Sequence, residues 1–233
     1  MFLKKRSLQK ELMDEQILTH DEAFEIYKLL RRLNRCLFGR VGILKHIKQY
    51  AKSWDKEKVV RILDIAGGAG DTGEVIINWA RKNGHQVQVV TLDLSLQALY
   101  YTQSEYADYS EMSLLQANCF QLPFKENSFD YVISSLFFHH LTDNEVHQLL
   151  IQMNTLAKRG IVVNDLVRKA RAYLWIKFFS LFTQNIFFRT DGPRSVRKAF
   201  TINEIEKLVR TTGLDYLNIH PHFGHRFAIA GEK

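Results

Sequence analysis

The sequence has few cysteines and no apolar run long enough to cross a membrane, and each shortage excludes a class of protein. Its two cysteines, Cys36 and Cys119, lack the neighbour spacing of a metal site, so neither a disulfide framework nor a zinc site is expected. The most apolar stretch, 174–188, is shorter than the roughly 20 residues of a membrane span, and polar side chains interrupt it. The amino terminus lacks the apolar run of a signal peptide. We therefore expect a soluble cytoplasmic protein, with peripheral membrane contact left open.

A long basic tract, an internal repeat and a low-complexity segment are also missing. The 233 residues carry 32 basic and 25 acidic side chains, a formal net charge of +7, which suits an anionic partner. The excess is too small and too dispersed to indicate nucleic acid as the partner. The length favours one α/β domain with an appended lid.

Residues 1–52 are predicted to be helical and to form an N-terminal helical lid, followed by the core at 53–233. An apolar stripe at helical spacing supports a helix, with Thr19 and Glu22 as a capping box at its start. Two roles explain the stripe equally well: packing on the core, and closure over a substrate pocket. The stripe consists of Ile26, Leu29, Leu30, Leu33 and Leu37.

From residue 59 onward, short β-branched runs alternate with helical segments. Strands are predicted at 59–65, 87–93, 112–117, 129–136 and 160–164, and capping boxes at Thr142/Glu145 and Thr201/Glu204 begin two helices. Two final strands, 215–220 and 226–230, are close enough in sequence to pair antiparallel. This order predicts a Rossmann-like α/β fold: a seven-stranded, mostly parallel sheet with helices on both faces.

An aromatic and basic segment at about 166–200 breaks this alternation and is predicted to be a helical insertion before the last two strands. As a substrate lid it would form an apolar pocket; plain core packing is the alternative. Its aromatic residues are Trp175, Phe178, Phe179, Phe182, Phe187 and Phe188.

A glycine-rich turn, 64–71 with the sequence Asp-Ile-Ala-Gly-Gly-Ala-Gly-Asp, joins the first strand to a helix. Glycines there let a ligand approach the backbone, and the helix N-terminus offers N–H donors. Gly68, Gly70 and Gly73 also fit the dinucleotide pattern G-x-G-x-x-G, with Asp93 about 20 residues further on. The turn alone indicates a nucleoside cofactor and leaves a dehydrogenase open.

The surroundings of the turn resemble the class I S-adenosylmethionine-dependent methyltransferases. Asp64 precedes the glycines, Gln-Ala-Asn and Leu-Pro-Phe follow the third strand at 116–124, and Phe129-Asp130 opens the fourth. Over residues 59–165 these motifs resemble the ubiquinone/menaquinone-biosynthesis branch. The segment 191–201 is similar to bacterial methyltransferases presumed to act in secondary metabolism. The resemblance implies S-adenosylmethionine as cofactor and S-adenosylhomocysteine as product.

The resemblance also implies which residues bind the cofactor. A carboxylate at Asp93 suits both ribose hydroxyls, and Asn118 and the backbone N–H of Cys119 suit the adenine. Asp64 is expected to order the turn from behind, while Asp71 either reaches the methionine ammonium or caps the next helix. The remaining members of the predicted set are Ala66, Gly67, Gly68 and Gly70 in the turn, Leu94 after Asp93, and Ser134 in the fourth strand.

His139, His140 and Asp165 are the candidate catalytic residues, because they follow the fourth and fifth strands at the sheet edge where the acceptor is expected. Removal of a proton from a hydroxyl or carbon acceptor would suit an imidazole, whose unperturbed pKa lies near 6.5. A pocket wall is the alternative role for either histidine. No metal site is expected, although three histidines cluster at 220–225.

The expected activity is methylation of a small molecule, an aromatic or apolar acceptor. O-methylation of a hydroxylated aromatic, polyketide-like or quinone-like compound is the first hypothesis, and C-methylation of a quinone precursor is the second. Methylation of RNA or protein remains an alternative, as does a non-catalytic module that only binds the cofactor. The oligomeric state, the pathway and the acceptor itself are left open.

Overall fold

In a computed structural model, which describes residues 3–15, 19–36, 41–183 and 185–233, one sheet of seven strands organises the chain. The strands are β1 (Val59–Ile65), β2 (Gln86–Asp93), β3 (Met112–Gln116), β4 (Phe129–Ser135), β5 (Ala157–Leu166), β6 (Asn218–His222) and β7 (Arg226–Glu232).

The helices of the described residues are α1 (Leu12–Glu15), α2 (His20–Cys36), α3 (Val41–Tyr50), α4 (Asp71–Asn83), α5 (Leu96–Glu105), α6 (Asp143–Leu156), α7 (Ala170–Ser180), α8 (Ile186–Lys198) and α9 (Ile202–Thr211). Short 3-10 turns, Ala51–Ser53 and Phe138–His140, follow α3 and β4.

The strand order β3-β2-β1-β4-β5-β7-β6 confirms the predicted Rossmann-like sheet. Strands β1 to β5 pair in parallel, and β7 lies antiparallel between β5 and β6. From β1 the strands β2 and β3 are added on one side of the sheet, and β4 and β5 are added on the other side, so the order reverses between β1 and β4. In open α/β sheets the crevice at this reversal, beyond the carboxyl ends of the strands, is where ligands bind.

Apolar layers cover both faces of the sheet. On one face, α3 and α4 pack on β1, β2 and β4 through a cluster that includes Ile43, Ile47, Ile76 and Ile77. On the other face, α6 and α9 pack on the sheet through a cluster that includes Leu149, Leu150, Met153 and Ile205. These residues are completely buried, so the two layers fix the strand ends that build the site.

The predicted elements differ from the structure by more than two residues at three places. Strand β5 begins at Ala157 rather than 160, β6 begins at Asn218 rather than 215, and residues 3–11 do not form a helix. Strands β6 and β7 pair antiparallel as predicted, and the three capping boxes are present. Leu37, the last residue of the predicted apolar stripe, lies outside the described residues.

The predicted insertion contains α7 and α8, which pack on each other. The aromatic side chains of the insertion lie in two different environments. Phe187 and Phe188 line the central cavity, whereas four others are exposed, contrary to both predictions for them. The exposed four are Trp175, Phe178, Phe179 and Phe182.

Candidate active site

A cavity of about 1160 Å³ lies beyond the carboxyl ends of β1, β2 and β4, under the N-terminal residues and α8. Its floor is the glycine turn, and its roof includes α2 residues such as Ile26 and Leu30. Small-molecule sites typically measure about 300–1,000 Å³. The cavity is therefore large enough for a nucleoside cofactor and a second molecule together.

The glycine turn leaves backbone exposed to this cavity. Ala66 and Gly68 have positive φ angles of 54° and 52°. A Cβ atom built on Gly68 would have no neighbour within 4 Å, whereas one on Gly67 would lie 2.6 Å from Cγ2 of Thr91. Gly67 is thus required by packing beneath the turn, and Gly68 presents bare backbone to a ligand.

Asp93, at the end of β2, is bound to the turn. Its Oδ2 accepts a hydrogen bond from the backbone N–H of Gly68 at 2.8 Å, and its Oδ1 accepts one from Ser95 at 2.9 Å. Burial raises the pKa of Asp93, although these backbone donors oppose the shift. Each carboxylate oxygen has acceptor capacity beyond one hydrogen bond. Asp93 lines the cavity and so fits the predicted contact with a vicinal diol.

Asp64, at the carboxyl end of β1, lies against Gly67 of the turn but does not hold the turn by hydrogen bonds. Both its carboxylate oxygens are buried without a hydrogen-bond partner among the described residues. Burial raises the pKa of Asp64 well above its ordinary value, and the neighbouring carboxylates of Asp71 and Asp93 raise it further. Buried polar atoms are nearly always paired. An orphaned carboxylate beside Gly67 and Asp71 fits a cationic or N–H-bearing ligand group.

Three predicted residues line the other end of the turn. Leu94 is 68% exposed beside Asp93, and Asn118 and Cys119 follow β3. The side-chain oxygen of Asn118 accepts a hydrogen bond from the Phe120 N–H at 2.9 Å, which leaves it one further acceptor site. Burial raises the pKa of the Cys119 thiol to about 11, so it is a neutral wall residue.

Ser134 and Gly70 belong to the predicted cofactor set but are not among the cavity-lining residues. Ser134 is fully buried and donates its hydroxyl to the Ile65 carbonyl, joining β4 to β1. The next residue, Ser135, lines the cavity instead. Gly70 has a φ of 69°, and a Cβ there would lie 2.5 Å from Thr102. Both residues therefore shape the site without facing it.

The catalytic candidates His139 and Asp165 form a buried pair at the cavity wall. Nδ1 of His139 lies 2.7 Å from Oδ1 of Asp165, and the backbone N–H of His139 donates to Oδ2 at 2.8 Å. Burial alone would lower the pKa of His139, but the carboxylates of Asp165 and Glu11 outweigh it and raise the pKa to about 9. The imidazole is thus protonated at neutral pH. Asp165 faces the histidine and is not among the residues that line the cavity.

Glu11 and Lys198 complete this cluster, and the sequence reasoning missed both. Glu11 Oε1 lies 3.6 Å from Nε2 of His139, 3.7 Å from Nε2 of His140 and 3.2 Å from Nζ of Lys198. Burial would raise the pKa of Glu11, but the facing side chains of His139, His140 and Lys198 lower it well below its ordinary value. A glutamate in a polar, irregular segment and a lysine in a basic helix end carry no sequence signal for such a pairing.

Glu11, His139 and His140 are close enough to bind a metal ion through one atom each. Lys198 already lies against this group, with its Nζ 3.1 Å from Nδ1 of His140. An ammonium between the carboxylate and the imidazole would repel a divalent cation. The chemistry of the donor set therefore favours a proton and charge network at this point.

Residues 6–13 form a strap that crosses the start of α6 and the helix α8, and this strap positions Glu11. Arg6 donates to the Leu141 carbonyl at 2.7 Å and to the Lys198 carbonyl at 2.8 Å, and it pairs with Asp143 at 2.9 Å. Asp191 accepts the backbone N–H groups at the start of α1 at 2.7 and 3.1 Å. The roof of the cavity is therefore tied to the insertion.

Arg226 is a further cavity-lining residue that sequence reasoning missed. Burial lowers its pKa to about 10, and the facing carboxylates of Asp165 and Asp71 oppose that shift. Its Nη1 has no hydrogen-bond partner in the described part of the chain. The guanidinium thus interacts with Asp71 at the glycine-turn end of the cavity and with Asp165 at the His139 end.

Comparisons with known proteins show what this chain is similar to. The profile of a methyltransferase domain family matches residues 62–160. The demethylmenaquinone methyltransferase of Bacillus licheniformis is 24% identical over 206 residues, which are 80% of this chain and 87% of that protein. The matched profile and this relative support a class I S-adenosylmethionine-dependent methyltransferase.

Other relatives match over less of their length. The ubiquinone/menaquinone biosynthesis C-methyltransferase UbiE of Wigglesworthia glossinidia brevipalpis is 32% identical over 126 residues, covering 53% of this chain and about half (48%) of that protein. Among solved structures, the plantazolicin methyltransferase BpumL with S-adenosylhomocysteine has a TM-score of 0.67 at 14% identity, with 90% of each chain covered. Human N-acetylserotonin methyltransferase with S-adenosylmethionine has a TM-score of 0.65 at 14% identity, covering 92% of this chain and 56% of that one.

The methyltransferase fold thus explains the glycine-turn end of the cavity. The bare backbone at Gly68, the acceptor oxygens of Asp93 and the orphaned carboxylate of Asp64 fit a sulfonium nucleoside with ribose and amino groups. The enzyme is a methyltransferase whose cofactor is S-adenosylmethionine. No helix in the described ranges has the length and apolar character needed to cross a membrane.

Proposed function

We propose that this methyltransferase acts on a hydroxylated aromatic, quinone-like small molecule and transfers the methyl group to a ring carbon beside the hydroxyl. One observation carries the proposal: the protonated His139 and the Lys198 ammonium lie on the wall of the same cavity that contains Asp93. Cations beside a hydroxyl stabilise its ionised form. The hydroxyl proton leaves to solvent, and the electron pair left on the oxygen is shared with the adjacent ring carbons, which become nucleophilic. The ring carbon that accepts the methyl group then loses its own proton to solvent.

The roles of the residues follow from their charges. His139 has a pKa of about 9 and holds its proton at neutral pH, so it acts as a fixed cation rather than as the general base we first expected. Asp165 and Glu11 orient that imidazole from its two nitrogens. His140 and Lys198 extend the polar wall of the cavity. When bound, S-adenosylmethionine supplies an electrophilic methyl group on sulfur.

The acceptor's apolar part is expected against α8 and the strap. Phe187, Phe188 and Met13 line that side of the cavity, with Ile176 behind them. This mixture of apolar walls and a few charged groups is typical of small-molecule sites. The printed names of the curated relatives, a demethylmenaquinone methyltransferase and a C-methyltransferase of quinone biosynthesis, support a quinone-like ring and carbon as the methylated atom.

O-methylation is the second candidate, because the same cations stabilise the oxygen that would then attack. Both reactions would use one bound acceptor and one cofactor position. The two differ only in which nucleophilic atom of the ionised ring lies nearest the sulfonium carbon.

The test is turnover with a panel of hydroxylated aromatics and quinols, using S-adenosylmethionine with an isotope-labelled methyl group. NMR of the product separates a ring methyl from a methoxy group. We expect a ring methyl, and we expect His139→Gln to lose at least about tenfold in kcat while it still binds the cofactor. A methoxy product would select the second candidate. Label found only in added RNA or protein would refute the small-molecule acceptor.

A further inference from the structure

The outer face of α7 is apolar and exposed, which is unusual for a helix on the surface of a monomer. Six side chains of this α7 face are 39–74% exposed, and ring contacts at 5.0–5.8 Å join its aromatic members. The opposite side of the helix is covered, with Ala172 and Ser180 buried. The α7 face consists of Leu174, Trp175, Phe178, Phe179, Leu181 and Phe182. Exposed apolar patches of this kind mark interaction sites.

Basic residues flank the α7 face, and no acidic residue lies near it in the sequence. Between residues 166 and 190 the chain has no aspartate or glutamate. Four of its basic side chains, Lys169, Arg171, Lys177 and Arg189, are exposed. An apolar, aromatic helix face with a basic margin is the pattern of a helix that lies in the interface of an anionic bilayer.

We propose that the α7 face docks on an anionic membrane surface, with its aromatic side chains in the interfacial region and its basic margin against the lipid headgroups. Exposed cations near such a surface are attracted to the anionic headgroups, and aromatic side chains favour the headgroup level. A protein partner would have to supply an acidic, apolar complementary surface. A bilayer with anionic lipids supplies both features without a specific fold.

This placement connects the membrane to the cavity. Ile176, on the inner side of α7, lines the cavity that contains His139. One helix therefore separates the docked surface from the acceptor pocket, and an apolar acceptor dissolved in the bilayer has a short path to it. The docking itself does not rest on the acceptor proposed above, because it can be measured without cofactor or acceptor.

The test is sedimentation of the full chain with vesicles of phosphatidylcholine alone and of phosphatidylcholine with phosphatidylglycerol. We expect binding to the anionic vesicles that weakens with salt, and a blue shift of Trp175 fluorescence, since Trp54 is buried and Trp79 is only partly exposed. Trp175→Phe should abolish the shift while binding persists.

Two variants and their controls decide the proposal. The triple change Trp175→Ser, Phe178→Ser, Phe182→Ser should reduce binding at least about tenfold, whereas Ile151→Ser on α6 should not. Lys177→Glu should reduce it about fivefold or more, and Lys207→Glu, an equal charge change on α9, should not.

Absence of binding to anionic vesicles would overturn the proposal, as would equal binding of the wild type and the triple variant. Light scattering provides the remaining check. If the wild type is a dimer that the triple variant converts to a monomer, a second copy of the chain covers the α7 face and the membrane proposal is wrong.

Discussion

The imidazole of His139 and the carboxylate of Asp165 are joined twice, by a side-chain contact of 2.7 Å and by a backbone hydrogen bond of 2.8 Å. The two contacts come from β5 and from the 3-10 turn after β4, so the sheet itself fixes the orientation of the ring. Because Asp165 is completely buried, its charge acts on His139 in a low-dielectric environment. The pair thus holds an oriented imidazole, with a raised pKa, at the cavity wall.

Replacing Asp165 by asparagine should lower the pKa of His139 from about 9, since burial then opposes the protonated ring with one carboxylate fewer. NMR titration of the imidazole measures this directly. We expect kcat to fall at least about tenfold at neutral pH, with cofactor affinity retained. Asp215→Asn, the same change at an exposed position, serves as the control. An unchanged His139 titration would contradict the electrostatic account.

Stability should depend on pH through the same ring. The folded-state pKa of His139, about 9, exceeds the unfolded value near 6.5, so the folded state binds more protons between these limits. The resulting stabilisation is complete below pH 6.5 and is lost as the pH rises towards 9. Denaturant unfolding of the wild type and His139→Gln across this range measures it. The difference in unfolding free energy between them should shrink with rising pH; a constant difference would disprove the assignment.

Two neighbouring glycines should respond differently to alanine. Gly67→Ala places a Cβ 2.6 Å from Thr91, so we expect it to destabilise the fold by roughly 1–3 kcal/mol. Gly68→Ala meets open space at a φ of 52°, so its cost in stability should be about 1 kcal/mol or more from backbone strain. Its main effect should be on cofactor affinity, because the methyl group projects towards the cavity. Thermal unfolding and calorimetry of both variants separate the two outcomes.

Asp64 should contribute to binding and not to stability. Its raised pKa means that the folded state resists ionisation of this carboxyl, so Asp64→Asn should keep or increase the unfolding free energy at pH 8. Loss of the carboxyl group should nevertheless weaken the binding of S-adenosylmethionine, which carries ammonium and sulfonium charges. Chemical unfolding and calorimetry on the same samples test both halves. A large loss of stability without any loss of affinity would show that Asp64 serves only the fold.

Much of the sheet and the cofactor end of the site could be predicted from the sequence, because their signals are local. A β-branched run, a glycine turn and an acid at the next strand end lie within 35 residues of one another, from Val59 to Asp93. Their relative position is set by one crossover connection. Capping boxes such as Thr142/Glu145 are equally local, because both partners lie within one helical turn.

Only part of the charge network at His139 could be predicted from the sequence, because Glu11 and Lys198 are distant from the other members along the chain. Glu11 is 187 residues from Lys198, and neither lies in a recognisable pattern. The choice between Ser134 and Ser135 required the exact register of β4, because neighbouring residues of a strand face opposite sides. The exposure of Trp175 depends on which side of α7 packs, and an almost uniformly apolar helix does not indicate that side.

Calorimetric titration with S-adenosylmethionine, beside turnover on the same samples, tests the central claim that one cavity joins a cofactor end and a charged acceptor end. Asp93→Ala should lose about tenfold to a hundredfold in cofactor affinity and lose turnover with it. His139→Gln should bind the cofactor as the wild type does and still fail to turn over. Wild-type binding of NAD instead, or undiminished cofactor binding by Asp93→Ala, would contradict the account.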